Sequence, residues 1–320
     1  MQLIVEHLGK NFAAPGGLFA RGGEPVVALA DVSFALARHG RLGVVGESGC
    51  GKTTLGRLIC GLYAPDAGRV LFEEADVHQA RGEQAKRLRA AIQMIWQDNA
   101  GALDPRLTVG RSVREPLLVH GWTRTAAEAD EKAARQLERV GLDRSLFERK
   151  PHELSGGQRQ RVGIARALVM QPALVVADEP VASLDVSVQT QILDLLGDLV
   201  AEGELSLLFI SHDIRVVRAM TDRCLVLYRG RMVELGPTAE VTREPAHPYT
   251  VALMKAVPAL HPDQRKLGTH TAPAESVAPS AGCPYAPRCD RLKEICRREK
   301  PPLVEVAPGH FVACFLQHQE

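Results

Sequence analysis

Leu42-Gly43-Val44-Val45 runs without polar interruption into Gly46-Glu47-Ser48-Gly49-Cys50-Gly51-Lys52-Thr53, with Thr54 next. A short apolar run feeding a glycine-rich turn and then a helix is the pattern of a buried parallel strand. The turn fits G-x-x-x-x-G-K-[ST]. Its glycines let consecutive backbone N–H groups point inward around phosphates, and the following helix offers its positive end. In that arrangement Lys52 reaches the terminal phosphates and Thr53 gives its hydroxyl to Mg²⁺. An ordinary glycine turn is the competing reading, and the placement between strand and helix weighs against it.

Working outward, Leu3 to Val5 and the alternation Val32, Phe34, Leu36 predict strands on the N-terminal side, with a Gly/Pro-rich loop from Ala13 to Pro25 between them. On the C-terminal side, Ala173 to Ala177 and Leu205 to Ile210 predict two more strands. Cys224 to Tyr228 and Arg231 to Leu235, joined by Arg229-Gly230, predict a hairpin. Thr125-Ala-Ala-Glu128 fits a capping box opening a helix that pairs Glu128 with Lys132 and Glu131 with Arg135, and ends near Gly141. A second long helix carries Val188, Ile192, Leu195, Leu196 and Leu199 on one face. Strand–helix alternation of this kind predicts an α/β core with a mostly parallel sheet.

Three further constellations carry chemistry. The strand at Ala173–Ala177 ends in Asp178-Glu179, and phosphoryl transfer needs one acid for Mg²⁺ and one group to activate the attacking water. Asp178 suits the first role and Glu179 the second, although two acids ending a strand are more often a solvated edge. His212 follows the strand at Leu205–Ile210, at the carboxyl end where open α/β sheets bind ligands. Leu154-Ser155-Gly156-Gly157-Gln158 opens a helical run and offers a second anion-binding helix end. A plain cap is the simpler reading there; a second phosphate grip makes sense if it serves another subunit's nucleotide.

With these residues in order, the chain resembles the ATP-binding-cassette ATPases over roughly residues 1–258. The matching elements are the phosphate loop 46–54, Gln97, the signature 154–158, Asp178 and Glu179, Ser183-Leu184-Asp185, and His212. The resemblance implies a phosphate-loop ATPase core with an antiparallel N-terminal β part and a helical subdomain inserted at about 98–165. It implies a head-to-tail dimer holding two ATPs between phosphate loop and opposing signature. Gln97 then serves Mg²⁺, the attacking water and the sensing of a transmembrane partner. His212 contacts the γ-phosphate, the Asp185 loop bridges subunits, and Phe12 stacks on adenine, where an ordinary core Phe is an almost equal reading.

Trp96-Gln-Asp-Asn-Ala-Gly-Ala-Leu-Asp-Pro105, Asp185-Val-Ser-Val-Gln189 and His247-Pro-Tyr-Thr250 are similar to the dipeptide/oligopeptide importer branch, which also contains nickel importers. Thr54-Leu-Gly-Arg57 and Glu115-Pro-Leu117 resemble its second, "F"-type ATPase. This implies a heterodimer with a second ATPase, two permeases, an extracytoplasmic binding protein, and a peripheral position on the cytoplasmic face of the inner membrane.

From Pro262 to Gly282 periodicity disappears and Pro, Ala, Ser and Thr accumulate, which predicts a linker at 259–282 and a cysteine-bearing tail at 283–320. Of seven cysteines, Cys50, Cys60 and Cys224 lie among apolar neighbours and read as small core residues. Cys283, Cys289, Cys296 and Cys314 cluster in the tail without the C-x₂₋₄-C knuckle of structural zinc sites. Spacing leaves an iron–sulfur cluster and zinc level, with unliganded thiols third. Arg288, Arg291, Lys293, Arg297 and Arg298 are expected to help hold thiolates ionised. Gly282-Cys-Pro-Tyr…Arg288-Cys289 and Val312-Ala-Cys314-Phe resemble the C-terminal region of peptide-importer ATPases, for which a [4Fe–4S] cluster is implied, either as a structural clamp or as a redox sensor.

Composition limits the alternatives. With 45% apolar and 24% charged residues in 320, the chain buries an ordinary core. A formal charge of +1 gives no global field for nucleic acid, and neither a heptad run nor a second cassette supports a soluble cassette acting on DNA or ribosomes. No stretch reaches the roughly 18 apolar residues of a membrane span, and Met1–Glu6 lacks the pattern of a secretory signal, so a cytosolic protein is expected.

Overall fold

A computed structural model describes residues 1–13, 25–97, 99–182, 184–202, 205–256 and 281–317. The expected loop at 13–25 and linker at 259–282 fall mostly outside these residues, as does Ser183.

In chain order the elements are β1 (Leu3–Phe12), β2 (Val26–Leu36), β3 (Arg41–Val45), α1 (Lys52–Ile59), β4 (Ala67–Phe72), β5 (Ala75–Asp76), α2 (Gly82–Ala91) and β6 (Ile92–Ile95). Then come α3 (Asn99–Ala102), α4 (Val109–His120), α5 (Ala126–Arg139), α6 (Gly156–Leu168), β7 (Leu174–Asp178), α7 (Val186–Ala201), β8 (Ser206–Ile210) and α8 (Ile214–Met220). The last are β9 (Arg223–Tyr228), β10 (Arg231–Pro237), α9 (Thr238–Arg243), α10 (Pro248–Lys255), β11 (Val304–Ala307) and β12 (His310–Val312).

Two sheets form. An eight-stranded sheet runs β11-β12-β10-β9-β3-β8-β7-β6, parallel from β9 to β6 and antiparallel beyond, and a four-stranded antiparallel sheet runs β2-β1-β4-β5. The central strands are continuous apolar runs because both faces of the sheet are covered. Leu42, Val44, Val176, Leu208 and Ile210 enter the core shared with the small sheet. Val45, Val175, Leu207 and Phe209 point to the core under the helices. Each fully buried side chain of this size contributes about 1.5–3 kcal/mol, so the alternation fixes the register of the strands that present the site.

The helices α4, α5 and α6 pack on one another. Thr125 caps α5 as expected: its hydroxyl accepts from the Glu128 N–H at 3.2 Å, and the pairs Glu128–Lys132 and Glu131–Arg135 form. On α7, Ile192, Leu196 and Leu199 are buried, while Val188 and Leu195 are half-buried at its margin. The tail is no detached appendage. Its strand β12 pairs with β10, so the tail continues the main sheet. Buried Glu234 on β10 accepts hydrogen bonds from the Ala246 and His247 N–H groups and lies 2.8 Å from His310 Nε2 on β12.

Candidate active site

The phosphate loop turns where β3 ends and α1 begins. Gly51 has φ +107°, and a Cβ there would sit 2.4 Å from the Ala28 carbonyl oxygen; at Gly46, with φ +151°, it would sit 2.2 Å from that of Leu227. Only glycine passes both points. Lys52 is buried, its Nζ donating to the Gly46 and Glu47 carbonyls at 2.8 and 3.1 Å. The ammonium is thus held inside the loop, which places a cation at the point where phosphates enter.

Beside it, Thr53 Oγ1 donates to Asp178 Oδ1 at 3.2 Å. Asp178 ends β7 and is buried; burial raises its carboxyl pKa, an effect a divalent cation reverses. The next residue, Glu179, has φ +45°, a left-handed conformation uncommon for a non-glycine residue, and is fixed by its N–H donating to the Ile210 carbonyl at 2.9 Å. Its carboxylate accepts from Gln97 Nε2 at 3.1 Å, and His212 Nδ1 lies 3.2 Å from the same oxygen. The strand end therefore turns Glu179 away from Asp178 and into a space bounded by Gln97 and His212.

Lys52, Thr53, Gln97, Glu179 and His212 share one cavity of about 520 Å³, lined also by Phe12, Ser48, Gly49, Gly51 and Thr54; Asp178 reaches it only through its bond to Thr53 and is not part of the lining. Val26, Val27 and Ala28 of β2 complete one wall, a contribution the sequence reading did not assign. Phe12 also meets Tyr63 edge-on at 5.5 Å. A basic loop, a hydroxyl beside a buried acid, and a second acid within reach of water can bind a magnesium–nucleoside triphosphate and activate water against it.

Ser155, Gly156, Gly157, Gln158 and Asp185 are not brought to that cavity. Ser155, Gly157 and Gln158 line a separate open groove with α7. There Ser155 and Gln158 form a reciprocal capping box: Ser155 Oγ accepts from the Gln158 N–H at 3.2 Å, and Gln158 Oε1 from the Ser155 N–H at 2.9 Å. Asp185 caps α7, accepting from the Val188 N–H and the Ser187 hydroxyl.

One member of the loop takes a partner from the tail. The Glu47 side chain is engaged by both terminal nitrogens of Arg288, at 2.9 Å each, so Arg288 is committed to the loop rather than to thiolates. Cys50 is buried, and desolvation raises its pKa. Cys224 is likewise buried, as expected of a small core residue, whereas Cys60 is only half-buried.

In the tail, Cys283, Cys289, Cys296 and Cys314 line one small pocket with Tyr285, Leu292 and Phe315. Burial pushes the thiols of Cys283 and Cys289 up, and that of Cys314 to about 11. The expected cationic support is thin: Arg297 and Arg298 pair with Glu294, Lys293 donates to the Phe315 carbonyl, and Arg291 alone of the five lines the pocket. Among the described residues no group of three or more His, Cys, Asp or Glu is arranged to hold a metal ion.

The fold and this site define a phosphate-loop nucleoside triphosphatase. Residues 29–182 match the ABC transporter family, and residues 233–296 match the oligopeptide/dipeptide transporter C-terminal region. The chain is 43% identical to the oligopeptide transport ATP-binding protein OppF of Haemophilus influenzae, over 98% of this chain and 96% of that protein. It is 44% identical to the oligopeptide transport ATP-binding protein AppF of Bacillus subtilis, over 98% and 97%. Among solved structures, the ATP-binding cassette MJ0796, dimeric in a post-hydrolysis state with ADP and Pi, superposes with a TM-score of 0.65 at 28% identity, covering 74% of this chain and 98% of that one. The chain therefore belongs to the ABC transporter ATPases, in the branch that carries the oligopeptide/dipeptide C-terminal region. ATP is its nucleotide, and hydrolysis is coupled to transport. No described helix is long and apolar enough to cross a membrane.

Proposed function

We propose that this ATPase drives an importer of di- and oligopeptides, paired with a second, different ATPase beneath two permeases that an extracytoplasmic binding protein supplies. The observation that carries the reading is the division of the nucleotide site. Phosphate grip and Glu179 share one cavity, whereas the Ser155 helix end faces another. Each chain then offers a complete phosphate-loop half and a separate signature half. In this reading the loop 46–54 and Lys52 hold the phosphates, and Thr53, Asp178 and Gln97 hold Mg²⁺. Glu179 takes the proton of the attacking water, His212 contacts the γ-phosphate, and Phe12 stacks on adenine. The segment Ser155–Gln158, with Asp185 at the seam, closes over the nucleotide of the neighbouring ATPase. The unit boundaries are 1–258 for the cassette, with helices inserted at 98–165, 259–282 for the linker and 283–320 for the tail. The protein sits peripherally at the cytoplasmic face.

Peptide as cargo is supported by the printed names of the relatives. The test is uptake of labelled peptide into vesicles bearing the whole importer: ATP-dependent peptide entry is expected, and entry of nickel alone would overturn the assignment.

The same reading gives the tail a [4Fe–4S] cluster. What supports it is the chemistry of the donors: four cysteines line one apolar pocket, although as placed they are not gathered around a common ion. A mononuclear zinc site brings four ligands within about 2.3 Å of one ion, whereas a cluster spreads its thiolates around a larger body. Cys283, Cys289, Cys296 and Cys314 would hold it, and it would supply a covalent clamp on three otherwise short turns. Metal analysis after anaerobic purification should find about four irons per chain; stoichiometric zinc without iron would reject the cluster.

A further inference from the structure

We propose that Arg288, in the cysteine-bearing tail, is a positioning residue for ATP: it holds the phosphate loop through Glu47. The loop's second residue is gripped from every side. Its carboxylate takes a bidentate pair from Arg288 at 2.9 and 2.9 Å. Its N–H donates to the Tyr249 hydroxyl at 2.8 Å. Its carbonyl accepts from Lys52 Nζ at 3.1 Å and from the Cys50 N–H at 3.2 Å. Arg288 thus acts on the residue whose carbonyl holds the phosphate-binding lysine.

The grip comes from outside the loop. Arg288 is 241 positions away in sequence, immediately before Cys289, and its guanidinium lies over the rings of Tyr228 and Tyr285 at 6.0 and 5.8 Å. Tyr249 and Tyr285 meet at 5.5 Å, so both contacts to Glu47 rest on one aromatic cluster that also borders the cysteine pocket.

One physical effect follows. The paired fork fixes the loop's entry, so its amides are arranged before nucleotide arrives. This acts on binding rather than on the chemical step. The proposal rests on ATP occupying the loop; Lys52→Ala, which abolishes binding whatever Arg288 does, separates failure of that premise from failure of this one.

The experiment measures KM and kcat for ATP in the assembled transporter, and Kd for ATP on the full-length chain. Arg288→Ala should raise KM and Kd roughly fivefold, the scale of a partly exposed ion pair, with kcat within about twofold of the parent. Arg288→Lys should recover part of the loss, since one point charge replaces a planar fork. Because Arg288 works through Glu47, the Glu47→Ala/Arg288→Ala pair should be no worse than the worse single variant. Unchanged KM in Arg288→Ala, or effects that add in the pair, would overturn the proposal. Should Arg288→Ala fail to fold, Glu47→Ala leaves the tail's own packing untouched and must itself raise KM; an unchanged value there refutes it equally.

Discussion

The phosphate-loop cavity and the Ser155 groove of this molecule are built differently. The phosphate-loop side is pre-assembled: Lys52 is buried, Thr53 is bonded to Asp178, and Glu179 is fixed by Ile210 and flanked by Gln97 and His212. The signature side has no such company. Ser155 and Gln158 satisfy each other in a capping box beside an open groove, and Asp185 caps its own helix. One side is rigid because it grows from the ends of strands buried on both faces. The other sits at the start of a helix that packs with α4 and α5. In the proposed reading, the first side holds and cleaves ATP while the second closes over a neighbour's nucleotide and can be withdrawn, so that hydrolysis separates two surfaces.

The largest effect that sharpens this contrast lies on the first side. Glu179→Gln keeps the shape and the Gln97 and His212 neighbours but removes the carboxylate that the proposed reading makes the base. Turnover should fall about 10²- to 10⁴-fold, with ATP still bound; phosphate release and nucleotide retention on the assembled transporter measure both. Steady hydrolysis at the parent rate would mean that another group takes the proton.

On the second side, Ser155→Ala removes the hydroxyl that in this reading reaches the neighbour's nucleotide. ATP affinity of the single chain should stay at the parent value, because Ser155 is absent from the phosphate-loop cavity. Turnover of the assembled pair should fall about ten- to a hundredfold, the range of one lost hydrogen bond to a charged group. If single-chain ATP affinity drops instead, the two sides are not separate and the comparison fails.

Much of the first side was legible in the sequence, because strands buried on both faces are uninterrupted apolar runs with sharp ends. β3, β7, β8 and the β9–β10 hairpin all fall within a residue or two of the expected positions. The sequence marks β1 only as far as Val5, since His7, at φ +48°, breaks the alternation through a bulge before Leu8 resumes the pairing. β6 follows α2 directly, with no Gly or Pro to mark the change from helix to strand. The strands β11 and β12 owe their existence to β10, a partner far away in sequence. The Glu47–Arg288 pair is the plainest omission. Its signal is present, an anion placed in a loop meant for phosphates, but Arg288 beside Cys289 in sequence suggests support for a thiolate. Local charge pattern names a residue's chemistry; only the fold names its partner.

The smallest effect tests whether the helical part transmits anything to the phosphate loop within one chain. Thr125 Oγ1 accepts from the Glu128 N–H at 3.2 Å, and Glu128 Oε2 accepts from the Arg124 N–H at 3.1 Å, so the start of α5 is closed by two side-chain bonds. Below them Ala129, Ala133 and Leu137 are buried on the face that packs against α4 and α6, the helix that carries Ser155. Thr125→Ala exposes an orphan N–H at the cap and should cost about 1 kcal/mol, read as a lower denaturation midpoint with an unchanged slope. The packed face is intact, so α6 keeps its place and ATP binding by the single chain should not move. A change in that affinity would mean that strain at α5 reaches Lys52 without any second subunit, and the signature side would then be an internal regulator rather than a surface made for a partner.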